Sequence, residues 1–494
     1  MSDLTDPPST YSSTETSIVG AATILLNGIV GAGIISMPYV IRQCGFLGGP
    51  IVLLVVAYTM LETSVLIISV GVRENLVHYE DIAERLFGTR GFYLAMYSMF
   101  MFPFFNMLAY LVIIGDGLPA VIAQFMHDSP PSRTAVILIV SVFIILPMCL
   151  FRYMASLSLT AAFSVTSVVI LAFILIIGGP LVASQEGVPL DQGNYTSFNA
   201  TFFEGLDILA FVFVNHHGTS LIFKTMKYPS IMNWRRAITF ACRAGILLCS
   251  MIGIAGYSLF GKYTQGNILN NFDQQDALIS FARAIVSISV ILTYPQDCFV
   301  ARHCILSVIQ RQLQHAHDIS LSNDGDDGGD TTTILLSRNP LHSESASGVI
   351  DNVLPSPYQQ NFPLSSPNDP PLDLAPHHQL SDAWHLGVTL ALWLLTVVVA
   401  VCSTDLGVVN TLNGALAGSF IGFILPAAFY LKSHEAEIRN ALADTLAANH
   451  SMITVVKILL CQQTTAVFCV YSIVAGLMCS VIGLLSVIVS FLIS

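Results

Sequence analysis

Charge is what this sequence has least of. Asp, Glu, Lys and Arg make up 10% of its 494 residues, against 54% apolar residues and a mean hydropathy of +0.71. A soluble domain carries roughly 25% charged residues, because its surface has to be solvated. So few charges cannot cover a water-facing surface, and the solvent of this chain is therefore largely lipid. A basic stripe is missing too, which excludes nucleic acid as a partner. The first 17 residues are polar and lack the basic start of a signal peptide, so a short N-terminal tail is expected to be retained. None of the ten cysteines forms a C-x-x-C pair. Most lie in apolar runs, where the expected role is a small buried hydrophobe rather than a metal or redox site. The formal net charge of −12 comes partly from outside those runs, as in the cluster Asp324, Asp326, Asp327 and Asp330.

What is abundant is long apolar stretches. A membrane-spanning helix needs roughly 20 residues. Candidates lie at 18–40, 47–71, 92–125, 134–151, 154–182, 203–226, 236–260, 276–308, 383–404, 407–431 and 464–492. The predicted architecture is an all-α membrane protein of about eleven spans. It divides into a tail (1–17), a first five-helix block (18–182), a loop (183–202), a second five-helix block (203–431), and a linker with the eleventh helix (432–494). The stretch 310–382 interrupts the second block; it is rich in Ser, Asp, Asn and Pro, has no hydrophobic period, and is expected to be disordered.

Eleven spans put the termini on opposite sides, so one orientation fixes every loop. With the N-terminus cytosolic, 15 Lys and Arg fall on the cytosolic side, 3 (Arg42, Arg133, Lys262) on the other, and Arg283 within a span. That is a strong positive-inside bias. The acceptor tripeptides at Asn194 and Asn199 both fall in the loop after span 5, on the luminal or extracellular side in this orientation.

Two spans should break. Unwound backbone at membrane depth is tolerated where it lines a cavity or is buried in protein. Span 1 contains Asn27-Gly28-Ile29-Val30-Gly31-Ala32-Gly33, followed by Pro38; span 6 contains Asn215-His216-His217-Gly218-Thr219-Ser220 at about mid-bilayer depth. Plainer readings remain open at this point. The glycines could serve as a small-residue packing face, and the histidines could bond to neighbouring helices. Yet each span opens a block of five, and the odd count inverts the second block. Paired broken helices at matching places in inverted halves point to a transporter's binding site. A half-helix beginning near Gly31 would offer unpaired N–H groups to a carboxylate, and one ending near Asn27 would offer carbonyls to Na⁺ or a proton donor. A zwitterionic amino acid beside a cation satisfies both ends.

At these residues the chain resembles a known group. The segment Asn27 to Tyr39, NGIVGAGIISMPY, is similar to the first-span signature of the amino acid/auxin permease superfamily, most closely the sodium-coupled neutral amino acid transporters, with vacuolar amino acid transporters as near relatives. His216-His217, Leu292-Thr293-Tyr294-Pro295 with Cys298-Phe299, and Asn410 to Leu431 extend the likeness over most of 18–492. The resemblance implies an inverted five-plus-five repeat (LeuT/APC-like), alternating access, and ion-coupled symport of a small, neutral amino acid. Ion ligands carried over by position are Asn27, the Val30 carbonyl, Ser289 and Thr293, with Na⁺ or H⁺ as coupling ion and no other cofactor. Carried-over substrate contacts are Gly28, Ile29, Val30, Gly31, Ala32 and Gly33, with Phe211, His216 and Gly218 opposite. The membrane would be the plasma membrane or that of a lysosome or vacuole; a proton-coupled vacuolar or lysosomal exporter is the alternative. For Thr293 alone, a hydroxyl bonded back to its own helix is an equally open reading.

Charged residues inside spans need a reason, because each costs roughly 2.5 kcal/mol or more in lipid. Glu62 in span 2 is expected to pair with a base such as Arg283, or to be protonated against a hydroxyl. Asp116 and Asp207 lie nearer span ends, where solvation is easier. A channel would show a filter and a polar pore-lining helix, and an enzyme a cluster of metal ligands or a nucleophile with its base. The sequence offers neither pattern.

Overall fold

The computed structural model describes residues 16–76, 78–125, 131–150, 157–185, 201–324, 382–403, 405–447 and 464–493. Regular structure in them is helical, apart from a single bridge in which Thr16 pairs with Met226. Nine helices are long and apolar enough to cross a membrane among the described residues: Gly48–Glu74, Tyr79–Ala123, Arg133–Leu150, Thr160–Ser184, Ile231–Tyr263, Ala277–His315, Asp382–Cys402, Leu406–Ser433 and Thr464–Val489. A tenth span is the bent pair Ile18–Ile29 and Ala32–Cys44, whose axes differ by 46°. Phe202–Phe213 followed by His216–Thr225 forms one more interrupted span. Ten spans, the bent pair counted as one, meet that length and apolarity among the described residues; with 202–225 at the place expected for span 6, eleven helical segments stand where eleven spans were expected.

Enclosure separates an inner bundle from its surround. In span 3 (Tyr79–Ala123) 78% of the most apolar window is buried, and in span 10 (Leu406–Ser433) 67%, against 33% in spans 4, 9 and 11. The outer helices present Leu138, Ile139, Phe143, Leu394, Val470 and Leu485 outward, as a lipid-facing surface requires. The inner helices pack on one contiguous apolar core that includes Leu25, Ile29, Leu111, Phe213, Trp234 and Phe429.

Several boundaries depart from the sequence reading. Span 3 begins at Tyr79 rather than near 92; Gly88, at φ +66°, bends the helix between a short leading segment and the span proper. Span 8 continues to Asp324, past the expected start of the polar segment at 310, and 325–381 lies outside the described residues. So do Asn194, Asn199 and most of the N-terminal tail.

The loops sort onto two faces as parity demands. One face carries Arg73 on Glu437 at 2.8 Å, Arg311 on Glu84, and the backbone pairing of Thr16 with Thr225 and Lys227. Arg133, bonded to Asp116 at 3.3 Å and to the carbonyls of Ala400 and Ser403, lies on the other.

A close backbone crossing sets span 10 on span 6. A Cβ on Gly414 would overlap the carbonyl of Asp207, which is backbone and cannot step aside. Gly414→Ala is therefore expected to destabilise the protein by about 1–3 kcal/mol through overpacking. Gly387→Ala, where a Cβ meets open space, should leave the thermal unfolding midpoint in detergent unchanged or raised. Equal midpoints for the two variants would contradict this crossing.

Candidate functional site

Span 1 stops being α-helical where its glycines cluster. The first half ends at Ile29, Val30 caps it, and Gly31 leaves helical geometry at φ −60°, ψ −148°. A 3₁₀ turn, Ala32–Ser36, then leads into a helix at Met37–Cys44 that has Pro38 in its first turn. Neither Gly31 nor Ala32 returns a backbone hydrogen bond to Asn27 or Gly28, so those two carbonyls are free of backbone donors. Span 6 breaks at Val214–Asn215, and His216 starts its second half.

The two breaks touch. A Cβ on Gly28 would overlap the Asn215 side chain, and one on Gly33 would overlap Val212 and come within 2.8 Å of the Phe211 ring. A larger residue at either place would have to displace a side chain of span 6, so the packing-face reading of the glycines and the broken-helix reading hold together. The 3₁₀ turn is anchored from outside: Ser36 Oγ donates to the Gly266 carbonyl at 2.6 Å and accepts from Asn410 Nδ2 at 3.0 Å.

Beside the break lies a cavity of about 20 Å³. It has room for a water molecule or a bare cation and is too small for an amino acid. Val30, Gly31 and Ala32 line it on the side of span 1. Five hydroxyl-bearing residues, Tyr110 from span 3, Ser164 and Ser167 from span 5, and Ser289 and Thr293 from span 8, share the rest with Ile34, Ile35, Ile113, Val168, Val286 and Val290. No charged side chain lines it. Thr293 donates to the Ser289 carbonyl at 2.8 Å and Ser167 to the Phe163 carbonyl at 2.9 Å. Their hydrogens are thus occupied by their own helices, and their oxygens remain as acceptors. Hydroxyl oxygens with their hydrogens turned away suit a cation.

Polar groups continue below the cavity. Asp297, one helical turn after Thr293, is 7% exposed, and its Oδ2 has no partner. The Tyr110 hydroxyl and the Asn106 amide face it. Asn413 of span 10 closes the group, donating to Asn106 Oδ1 at 3.3 Å and to the Phe102 carbonyl at 3.2 Å.

Residues 14–486 match the model of the family described as transmembrane amino acid transporter protein. The chain belongs to that family. Among curated proteins it is similar to the rat putative sodium-coupled neutral amino acid transporter 11, at 26% identity over 83% of this chain and 77% of that one. It is similar as well to vacuolar amino acid transporter 2 of Saccharomyces cerevisiae, at 25% identity over 81% and 73%. Among solved structures, the nucleobase-cation-symport-1 family transporter Mhp1 aligns over 98% of this chain and 96% of its own, at 11% identity and a TM-score of 0.49.

Within this transporter the site residues expected from sequence divide into two groups. Val30, Gly31, Ala32, Ser289 and Thr293 come together around the cavity. Asn27 stands outside its lining, with a buried and unpartnered Oδ1. Gly28 and Gly33 act as contact surfaces for span 6, and Ile29 turns away to pack on Gly245 of span 7. Phe211 stacks near Phe102 at 5.8 Å between centroids, and Gly218 lies in the first turn after the break. His216 accepts the role of the plainer reading: its Nε2 lies 2.9 Å from Thr63 Oγ1 of span 2. Thr63 gives its hydrogen to the Thr59 carbonyl at 2.9 Å, so Nε2 is assigned the proton and Nδ1 is left bare and unpartnered. His217 packs on Phe102 at 4.6 Å.

Two expectations for in-span charges are corrected. Glu62 pairs with Arg235 of span 7 (2.7 and 3.0 Å), while Arg283 donates to the carbonyls of Leu269, Phe272 and Asp273, where the short turn after span 7 exposes them. Asp207 is fully buried, with neither carboxylate oxygen partnered, because span 10 and Gly483 of span 11 close over it. Sequence reasoning also passed over Tyr110, Ser164, Ser167 and Asp297. For Asp297 a signal existed, since an acid inside an apolar run demands a reason. Tyr and Ser in spans are too common to stand out.

The hydrogen bond holding His216 is testable. Thr63→Val leaves Nε2–H buried and unpaired, which should cost about 1–3 kcal/mol. Thr63→Ser keeps the hydroxyl and should cost distinctly less. Identical unfolding midpoints for the two variants would remove this contact from the site.

Proposed function

We propose that this family member is a secondary active transporter that carries neutral amino acids by cation-coupled symport with alternating access. The observation that supports it most is the cavity where span 1 unwinds, sized for one desolvated cation, with five hydroxyl-bearing residues among the Ile and Val side chains that line it. Oxygens from carbonyls and hydroxyls replace the hydration shell of a monovalent ion without requiring a net charge. Na⁺ sits there on the Val30 carbonyl, Ser289 and Thr293, joined by the hydroxyls of Ser164 and Ser167; Asn27 steadies the unwound turn just above. The amino acid binds at the adjoining break. Its carboxylate meets the N-terminal end of the second half of span 1, where Gly31, Ala32 and Gly33 offer backbone N–H groups, and its side chain meets span 6 near Phe211, His216 and Gly218. The cavity is too small for both ligands, so the substrate enters when spans 1 and 6 part. The sodium-coupled name of the rat relative agrees with this choice of ion. In the membrane the N-terminus is cytosolic, a reading that the distribution of Lys and Arg supports, and Asn194 and Asn199 are glycosylated on the far side.

Purified protein in proteoliposomes, tested with a panel of radiolabelled amino acids, with and without Na⁺ and with a pH gradient, tests the reading. Uptake of neutral amino acids should need Na⁺. Thr293→Val should raise the Na⁺ concentration for half-maximal uptake about tenfold or more, the order expected for a lost contact to a charge. Asn27→Ala should abolish Na⁺-driven uptake in protein that still folds. Uptake indifferent to Na⁺ in the unaltered protein, or unchanged Na⁺ dependence in both variants, would contradict it.

A further inference from the structure

Span 7 carries two arginines that the transport function does not use. Its helix, Ile231–Phe260, turns Trp234, Ala241, Gly245 and Ile252 into the core. Met232, Arg236, Phe240, Arg243, Leu247 and Ile254 lie on the opposite side, and all six are exposed. At about 100° per residue these positions fall within about 80° of arc, so they form one stripe that faces away from the bundle.

Other arginines in the spans find acceptors inside the protein. Arg42 donates to the Thr264 carbonyl, Arg133 to Asp116, Arg235 to Glu62, Arg283 to the Leu269 carbonyl and Arg302 to the Cys149 carbonyl. Arg236 and Arg243 have no hydrogen-bond or ion-pair partner among the described residues. Spans 1, 2 and 5 pack along span 7. Their described residues include just two acids, Glu62 and Glu74, and both are engaged, by Arg235 and by Ser433.

Depth decides what can meet the two guanidinium groups. Ser230 caps the helix on the face where Thr16 pairs with Thr225 and Lys227. The charge-free part of the helix, 244–260, runs for about 25 Å, most of the thickness of a hydrocarbon core. Arg243 therefore stands at the hydrocarbon boundary, where its long arm reaches the level of lipid phosphates. Arg236, two turns or about 10 Å nearer the cap, stands at the level of the headgroups. Phe240, Leu247 and Ile254 continue the stripe into the region of the acyl chains.

We propose that this stripe binds one phospholipid whose headgroup carries a second phosphate, as in the phosphoinositides. Arg243 takes the phosphodiester that joins the headgroup to glycerol, and Arg236 takes the phosphate on the headgroup itself. The acyl chains lie along Phe240, Leu247 and Ile254. Guanidinium suits both positions, because it can donate two parallel bonds to a phosphate. A lipid with a single phosphate leaves Arg236 without an anion. The lipid belongs to the leaflet at the N-terminal end of span 7, the cytosolic one in the orientation proposed above, where anionic lipids attract basic groups.

The test is the unfolding midpoint of the detergent-solubilised full chain, titrated with short-chain lipids. These are phosphatidylinositol phosphate, phosphatidylinositol, phosphatidylserine and phosphatidylcholine, with free inositol bisphosphate as the soluble counterpart. Phosphatidylinositol phosphate should raise the midpoint at a concentration about tenfold or more below that needed for phosphatidylinositol, the order expected of one hydrogen-bonded contact between charges. Arg236→Gln should erase that difference and leave phosphatidylinositol binding as it was. Arg243→Gln should weaken both lipids about tenfold or more. Arg236→Lys keeps the charge without the paired donors, so its preference should fall between those of the unaltered protein and Arg236→Gln. Equal concentrations for the two inositol lipids in the unaltered protein overturn the proposal, and this comparison needs no variant. Phosphatidylserine that matches phosphatidylinositol phosphate also overturns it, since the attraction would then be to charge alone. So does free inositol bisphosphate acting at the lipid's concentration, because a soluble anion needs no membrane-facing stripe. A preference that survives Arg236→Gln overturns it as well. The readout involves neither amino acid nor Na⁺, so it stands whether or not the transport reading does.

Discussion

A backbone amide or carbonyl without a hydrogen bond costs several kcal/mol in hydrocarbon, and every unusual feature here follows from where this chain accepts such groups. Span 1 leaves the carbonyls of Asn27 and Gly28 without backbone donors, and span 6 unwinds at Val214–Asn215. Both interruptions lie inside the bundle. They are enclosed by spans 3, 8 and 10, the segments that expose little to lipid or that supply polar groups. In the function proposed, the freed dipoles are the groups that bind the ligands.

Close approach is the second condition, and it is steric. Gly28 against the Asn215 side chain and Gly33 against those of Phe211 and Val212 let span 6 side chains pack directly on the backbone of span 1. On the far side, Gly414 lets span 10 lie against the carbonyl of Asp207. Spans 1, 6 and 10 are thereby stacked, and the link from Asn410 through Ser36 to the Gly266 carbonyl ties the 3₁₀ turn of span 1 to span 10 and to the segment after span 7. A movement of any of these would be felt at the cavity. That is the mechanical requirement of alternating access, in which one part rocks against another around a fixed site.

Much of this could be read in the residues, and what could not has a physical reason. The glycine run 28–33 and the polar run 215–220 announced the breaks, because neither composition sustains a lipid-facing helix. Ser289 and Thr293, which the family resemblance implied, line the cavity with Val30. The contributions of spans 3 and 5 were not legible: Tyr110, Ser164 and Ser167 gain meaning from which helices neighbour which, and sequence periodicity carries no such information. Partner choice among charges failed for the same reason. Glu62 and Arg283 both needed a partner, but which of several bases or carbonyls stands opposite is a tertiary fact, and Arg235 proved to be the base. Asp207 shows the limit of judging depth by distance from a span end, since a neighbouring helix can bury a residue that the bilayer would not.

The central claim is that the two interruptions meet and that ligands bind where they meet. A cryo-electron microscopy map of the protein with Na⁺ and a transported amino acid tests it most directly. The account predicts helix breaks at Val30–Gly31 and Val214–Asn215 in contact with each other, with substrate density between them and a cation peak among Val30, Ser289 and Thr293. Unbroken helix through either segment, or substrate density remote from both, would contradict it.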